Sequence, residues 1–311
     1  MQNIVSRRRF IQCGLGSAVS AACISSPFLC AANTMPYPAK FALCNETFPD
    51  LSFEKCCELT ASLGYTGLEI APFTLTSDVK TITSSRRAEL KKIAQNAGLE
   101  IIGLHWLLAG TTGYYMTSPD TAIQQKTADY FIALADFCAD LGGKFLICGS
   151  PQQRQILPGV SLNQAFDYAA ATFQPVVKTL EKHGINLALE PLGTNETNFL
   201  VNAAQAVELI KKMGSDNIRL HLDCKAMAFG ENESIPEVIR KYKDYLVHFH
   251  ANDPNWQGPG CGDLNFIPIF KALQEIKYSG WVSVEMFSCP QGREFAAKKC
   301  IEYMKSCWSA E

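Results

Sequence analysis

Eight times between residues 40 and 287, a short run of nearly continuous apolar residues gives way to a longer segment whose apolar positions recur at helical spacing. The short runs are KFALCN, TGLEIA, EIIGLHW, KFLICG, INLALE, IRLHLD, LVHFHA and VSVEMF. Apolar continuity without strict alternation predicts strands covered on both faces, as in a parallel sheet. The intervening windows predict helices over Phe53 to Leu63, Ser84 to Ala97, Thr121 to Leu141, Leu162 to His183, Ala203 to Met213, Ile235 to Tyr242, Phe266 to Ile276 and Arg293 to Cys307. Gly64, Gly98, Gly142 and Gly184 stand just past helix ends, where a left-handed backbone closes the last turn. This regular alternation predicts an α/β fold, a single (β/α)8 TIM barrel over residues 37–311, with no linker dividing it.

The last four strands end in side chains that can bind a metal: LALE at Glu190, LHLD at Asp223, LVHFH at His250 and WVSVE at Glu285. The C-terminal ends of barrel strands meet at one mouth, so one such residue per consecutive unit gathers into a single site. A lone carboxylate at a strand end is usually a loop tether or a helix cap; four in succession are not. Three carboxylates and an imidazole suit one divalent cation, with Mn²⁺ the first choice and Mg²⁺, Co²⁺ or Zn²⁺ also compatible.

Composition narrows the class. With 47% hydrophobic and 19% charged residues, the 311-residue chain can bury a large core. Its formal net charge of −2 gives no phosphate-tracking surface, so nucleic acid is not an expected partner. Residues 1–32 are set apart: SRRRFIQ, with Arg7 or Arg8 opening an arginine pair and Phe10 behind it, precedes the small apolar run CGLGSAVSAACISSPFLCAA. This reads as a twin-arginine export signal cleaved after Ala32, which predicts a periplasmic protein without a stable membrane span after removal. The thirteen cysteines show no CxxC repeat or regular framework and read as small buried thiols. Cys224 follows Asp223 directly and should face away from it.

Other residues near the predicted mouth carry weaker signals. His105 and Trp106 end strand three and could hold a sugar ring by hydrogen bonding and stacking; Glu69 ends strand two and could bind a hydroxyl. Lys225 could polarise a carbonyl or be a solvated loop cation. His248 alternates with His250 and reads as a hydrogen-bonding support that does not share its direction. His221 lies one layer deeper than Asp223 and reads as barrel packing, and His183 at a helix C-terminus as structural. Arg154, in GSPQQRQILPG, could clamp a carboxylate or phosphate. There is no GxxxxGK[ST] motif, and GCGD from Gly260 lies in a long loop rather than a dinucleotide-binding turn.

From about Tyr37 to Trp308 the chain resembles the xylose isomerase-like superfamily of sugar phosphate isomerases and epimerases. The most specific stretch is HFHANDPNWQGPGCGDLNFIPIFKALQEIKYSGWVSVEMF, His248 through Phe287. The resemblance implies that Glu190, Asp223, His250 and Glu285 match the four metal ligands of ketose 3-epimerases, in which the two glutamates are also the acid/base pair. It further implies that Glu196 matches a carboxylate that contacts substrate. The chain departs from that pattern in two places. Ala226 stands where those enzymes have a histidine three residues after the aspartate ligand, and Trp256 where they have an arginine six residues after the histidine ligand. Substrate recognition, with Trp256 on its lining, should therefore differ.

Chemistry follows from the pair. Proton abstraction beside a carbonyl gives an enediolate stabilised by the cation, and two carboxylates on opposite faces can take the proton from one side and return it on the other. The expected function is a sugar isomerase or epimerase acting on a small carbohydrate. The same abstraction would serve a lyase or dehydratase of keto-sugars or 3-keto-glycosides. An abasic-site endonuclease needs a richer metal cluster and a basic surface. A non-catalytic exported carbohydrate-binding protein has no need of both glutamates. Association of like copies is compatible with the sequence, but no motif specifies it.

Overall fold

The computed structural model describes residues 39–310. The arginine-led segment read as an export signal lies outside the described residues. Eight parallel strands, β1 (Lys40–Cys44), β2 (Gly67–Ile70), β3 (Glu100–Leu104), β4 (Phe145–Cys148), β5 (Asn186–Leu189), β6 (Ile218–Asp223), β7 (Leu246–Ala251) and β8 (Trp281–Val284), pair in chain order and close when β8 meets β1. The helices between them are α1 (Phe53–Ser62), α2 (Ser84–Asn96), α3 (Thr121–Leu141), α4 (Leu162–His183), α5 (Ala203–Met213), α6 (Cys224–Gly230), α7 (Ile235–Lys241), α8 (Phe266–Glu275) and α9 (Arg293–Trp308). The predicted windows are recovered to within a residue at their ends. Only the short α6, inside a stretch read as loop, was not anticipated. Among the described residues no helix is long and apolar enough to cross a membrane.

Local signals account for these boundaries. Ser52, Thr83, Asp120, Ser161 and Asn202 each accept a backbone N–H in the first turn of the helix that follows, and Ser161 with Gln164 forms a reciprocal box. Gly142, Gly184 and Gly214 close α3, α4 and α5 in the left-handed region. The cysteines among the described residues are unpaired, most of them buried.

The outer core packs helices against the barrel wall, and a small inner cluster plugs the barrel floor. Trp281, Ala42 and Ile102 are buried there with Phe145 against them. A Cβ on Gly67 would sit 2.6 Å from the Trp281 ring, so β2 can pass the indole only as glycine. Above this plug the interior turns polar. Strand register decides which residues meet there: Cys44 pairs with Glu69, His221 with His248, Asp223 with His250, and His250 with Ser283. Four of the five histidines, His105, His221, His248 and His250, are buried in this upper interior. The branched apolar layers usual in barrels are thus replaced at the mouth end by a charged network.

If Trp281 is the plug, Trp281→Ala should cost about 3–5 kcal/mol, the usual range for emptying a buried aromatic site. Urea unfolding followed by circular dichroism measures it; a loss below about 1 kcal/mol would show that the floor closes without the indole.

Candidate active site

Glu190 and Glu285 lie one residue beyond β5 and β8, Asp223 ends β6, and His250 lies near the end of β7; all four are more than nine-tenths buried. His250 is the hub. Its Nδ1 faces Glu285 Oε2 at 3.4 Å and Asp223 Oδ2 at 3.8 Å, while its Nε2 lies 3.1 Å from Glu69 Oε1. Glu190 joins from the other side. One ligand atom each from Glu190, His221, Asp223 and His250 lies within 4.8 Å of the others.

Each carboxylate is aimed by its own neighbours. Asp223 caps α6: its Oδ1 accepts the Ala226 N–H at 2.7 Å, leaving Oδ2 to accept from the Asn252 amide at 2.6 Å and to face His250. The helix missed in the sequence is therefore the device that orients this carboxylate. Glu190 depends on glycine and arginine. A Cβ on Gly149 would fall 1.6 Å from Glu190 Oε2, and Arg154 donates to the backbone carbonyls of Glu190 and Cys148. Arg154 is buried to 1% exposure, so it is a strut between the ends of β4 and β5, correcting the expectation of an anion clamp at the mouth.

Four further sequence expectations change. Glu69, read as a hydroxyl ligand, is wholly buried and committed to His248, His250 and Ser283. His105 is also buried; its Nε2 pairs with Glu46 at 3.0 Å and lies 4.0 Å from Glu285, so it sits behind the pocket wall while Trp106 lines the pocket. His248 does share the inward face with His250, because residues two apart on a strand point the same way. It contacts Glu69 at 3.1 Å and its Nδ1 meets that of His221 at 3.1 Å, supporting the cluster through the residue behind His250. His221, read as packing, lies 3.8 Å from Glu190. Glu46, Asn252 and Ser283 were not singled out; isolated polar residues carry no periodic signal, and only the closed barrel brings them in.

The pocket, about 120 Å³, is lined by Trp106, Gly149, Pro151, Glu190, Leu192, Glu196, Lys225, Trp256, Glu285 and Phe287. Lys225 is no solvated loop cation. It is 2% exposed, its Nζ lies 2.8 Å from Glu196, and it sits over the Trp256 ring at 4.1 Å. Burial lowers the affinity of the ammonium for its proton, but Asp223, Glu285 and Glu196 outweigh this and leave it above the ordinary lysine value.

Electrostatics separates the two glutamates. Burial, then the carboxylates of Asp223 and Glu285, raise Glu190 to about 8. Burial would raise Glu285 too, yet His250, His105 and Lys225 together bring it below its ordinary value. Burial raises Asp223 to about 6 against the pull of Lys225. His250 is disfavoured as a cation by burial but carried well above the usual imidazole range by Glu69, Cys44 and Glu285. The centre therefore demands positive charge at the point shared by His250 Nδ1, Asp223 and Glu285. His250 Nδ1 is buried without a hydrogen-bond partner, and hard oxygens with one imidazole are the donor set of a divalent cation, so these residues fit one.

In Gly149→Ala the barrel should fold unchanged while the Glu190 carboxylate moves by roughly 2 Å to regain van der Waals contact. A crystal structure of the variant with Glu190 in place would remove the steric role given to Gly149.

Residues 57–307 match the sequence pattern of the family described as xylose isomerase-like TIM barrel. A D-psicose 3-epimerase of Ruminiclostridium cellulolyticum is 28% identical over 235 residues, covering 74% of this chain and 76% of the relative. The crystal structure of D-psicose 3-epimerase with D-tagatose from Clostridium cellulolyticum superposes with a TM-score of 0.77 at 20% identity, over 87% of this chain and 100% of that one. A 3-keto-D-glucoside 4-epimerase from E. coli in its apo form gives 0.76 at 18% identity, over 87% and 100%. The structural likenesses, at such identities, speak for the fold. Together with the matched span, which covers most of the chain, they complete the assignment: the chain belongs to the xylose isomerase-like TIM barrel family.

Proposed function

We propose that the protein is a sugar epimerase that inverts a carbon next to a carbonyl, using Glu190 and Glu285 as the acid/base pair and one divalent cation held by Glu190, Asp223, His250 and Glu285. The observation that carries this reading is that both glutamates line one pocket with opposed proton affinities. Epimerisation needs one group ready to accept a proton and one ready to give it. The relative named D-psicose 3-epimerase supports the substrate class, a small carbohydrate.

The cation, Mn²⁺ as first candidate, would supply positive charge where the substrate carbonyl oxygen turns negative. Every other task falls to side chains. Glu190 and Glu285 are placed to exchange a proton with the reacting carbon, one removing it and the other returning one, with the roles exchanged in the reverse reaction. Lys225 and Glu196, ion-paired in the pocket wall, offer a donor and an acceptor to sugar hydroxyls. Trp106, Trp256 and Phe287 give apolar faces for the ring and reduce the water in contact with the reacting carbon.

Incubation with keto-sugars in D₂O should place deuterium on the carbon beside the carbonyl, and Glu190→Gln should slow inversion at that carbon at least about 100-fold, the usual worth of a positioned acid or base. Inversion at the wild-type rate in Glu190→Gln would refute the pairing. Cation affinity should depend on pH with a fixed sign. Below about 8 the Glu190 carboxyl holds a proton that an incoming cation must displace, and below about 6 Asp223 holds another. Mn²⁺ affinity measured by titration calorimetry should thus rise with pH, by up to about tenfold per unit for each proton displaced, and keep rising above the Glu190 value because the His250 imidazolium must also lose a proton before Nδ1 can bind. A pH-independent affinity would mean the cation binds elsewhere.

A further inference from the structure

Trp106 belongs to two cavities. Besides walling the pocket that holds Glu190 and Glu285, it forms with Pro151 the shared boundary of a second, open cavity of about 300 Å³. The rest of that cavity is Phe73, Ala109, Gly110, Gln152 and Gln153. None of these carries charge, so an ionised phosphate placed there would find no side-chain countercharge. A flat uncharged ring would find aromatic faces and amide groups.

The aromatic residues form one row across both cavities. Phe73 meets Trp106 edge-on at 5.4 Å, Trp106 meets Phe287 at 5.7 Å, and Phe287 meets Trp256 at 5.3 Å. The ends of the row stay uncovered, with Phe73 38% and Trp256 36% exposed. Both tryptophans also hold left-handed backbone, φ 52° at Trp106 and φ 70° at Trp256, which bulky residues seldom adopt. Such strain persists where surrounding structure enforces it, and it concentrates at ligand clamps. The polar end of the row lies in the catalytic pocket, where Lys225 covers Trp256 and Phe287 and pairs with Glu196.

We propose that the substrate is a keto-glycoside whose keto-sugar ring lies between Glu190 and Glu285 and whose glycosidic partner, an uncharged second ring, lies in the cavity beyond Trp106. This rests on the epimerase reading and adds to it the size and charge of the molecule the site takes. The second ring contributes binding energy at a distance from the reacting carbon, which can be used to hold that carbon in register with the acid/base pair.

The test compares deuterium exchange from D₂O into a free 3-keto-hexose and into its phenyl and glucosyl glycosides, with the Mn²⁺-loaded full-length protein. The glycosides should show kcat/KM at least about tenfold above the free sugar, the factor one well-made aromatic contact supplies. Ala109→Phe, which fills the second cavity, should bring the ratio close to one; Gln152→Trp, on an exposed position of the same cavity, gives an independent filling variant if the first fails to fold. Equal kcat/KM for free sugar and glycosides, unmoved by either variant, would overturn the second-ring assignment and leave the epimerase reading standing. Absence of exchange into all three compounds would overturn both.

Discussion

A carboxylate wholly removed from water, Glu69, is the constraint on which the upper barrel is built. It lies beneath the cluster with no exposure, and such a charge persists only if it is compensated on every side. His248 and His250 each approach within 3.1 Å, and the Ser283 hydroxyl donates at 2.6 Å. Against the cost of burial, the two imidazoles hold Glu69 well below the usual carboxylate range, so it remains ionised. Removing one partner from a buried pair of this kind costs about 3–5 kcal/mol, more than most single contacts in a core. The network is therefore fixed, and His250 is fixed with it: Nε2 engaged by Glu69, Nδ1 turned toward Asp223 and Glu285.

That orientation explains why the site needs so little from its loops. The ligands sit on strands or one residue beyond, and their remaining freedom is removed by a cap on Asp223, the Gly149 gap and Arg154 strut at Glu190, and Asn252 between Asp223 and Glu285. Rigid elements carry the charges; loop residues such as Trp106 and Trp256 shape the space above them. Geometry held by strand register is more exact than geometry held by loops, which suits charged side chains that converge on one point.

The sequence made the barrel legible because strands covered on both faces must be continuously apolar and their helices amphipathic, two periods that do not mimic each other. Glu190, Asp223, His250 and Glu285 were legible because strand ends of a barrel share a mouth, so one-dimensional position translates directly into a common site. What did not translate depends on depth and partners. Glu69 and Glu190 both close apolar runs, yet one lies under the cluster and the other faces the pocket; Glu69 sits inside β2, opposite His248 and His250, while Glu190 lies one residue beyond β5. The seven residues of α6 offer too short a stretch for a helical period, so the cap on Asp223 was invisible. Arg154 looked like a surface clamp because nothing local tells an arginine that its acceptors will be two strand-end carbonyls.

The same network shifts the two glutamates in opposite directions. A symmetric pair of buried carboxylates would share one proton and offer no preferred direction. Here the surroundings break the symmetry. Glu285 faces His250, with His105 behind and Lys225 across the pocket, all of which favour its ionised form. Glu190 faces Asp223 and Glu285, which oppose ionisation, and its help from His250 and Arg154 is smaller. Arg154 spends its donors on carbonyls, so it steadies the Glu190 backbone without making a hydrogen bond to its carboxylate. The difference in proton affinity between the two carboxylates thus comes from fixed neighbours, and Glu69 beneath keeps His250, the largest of those acting on Glu285, in its place.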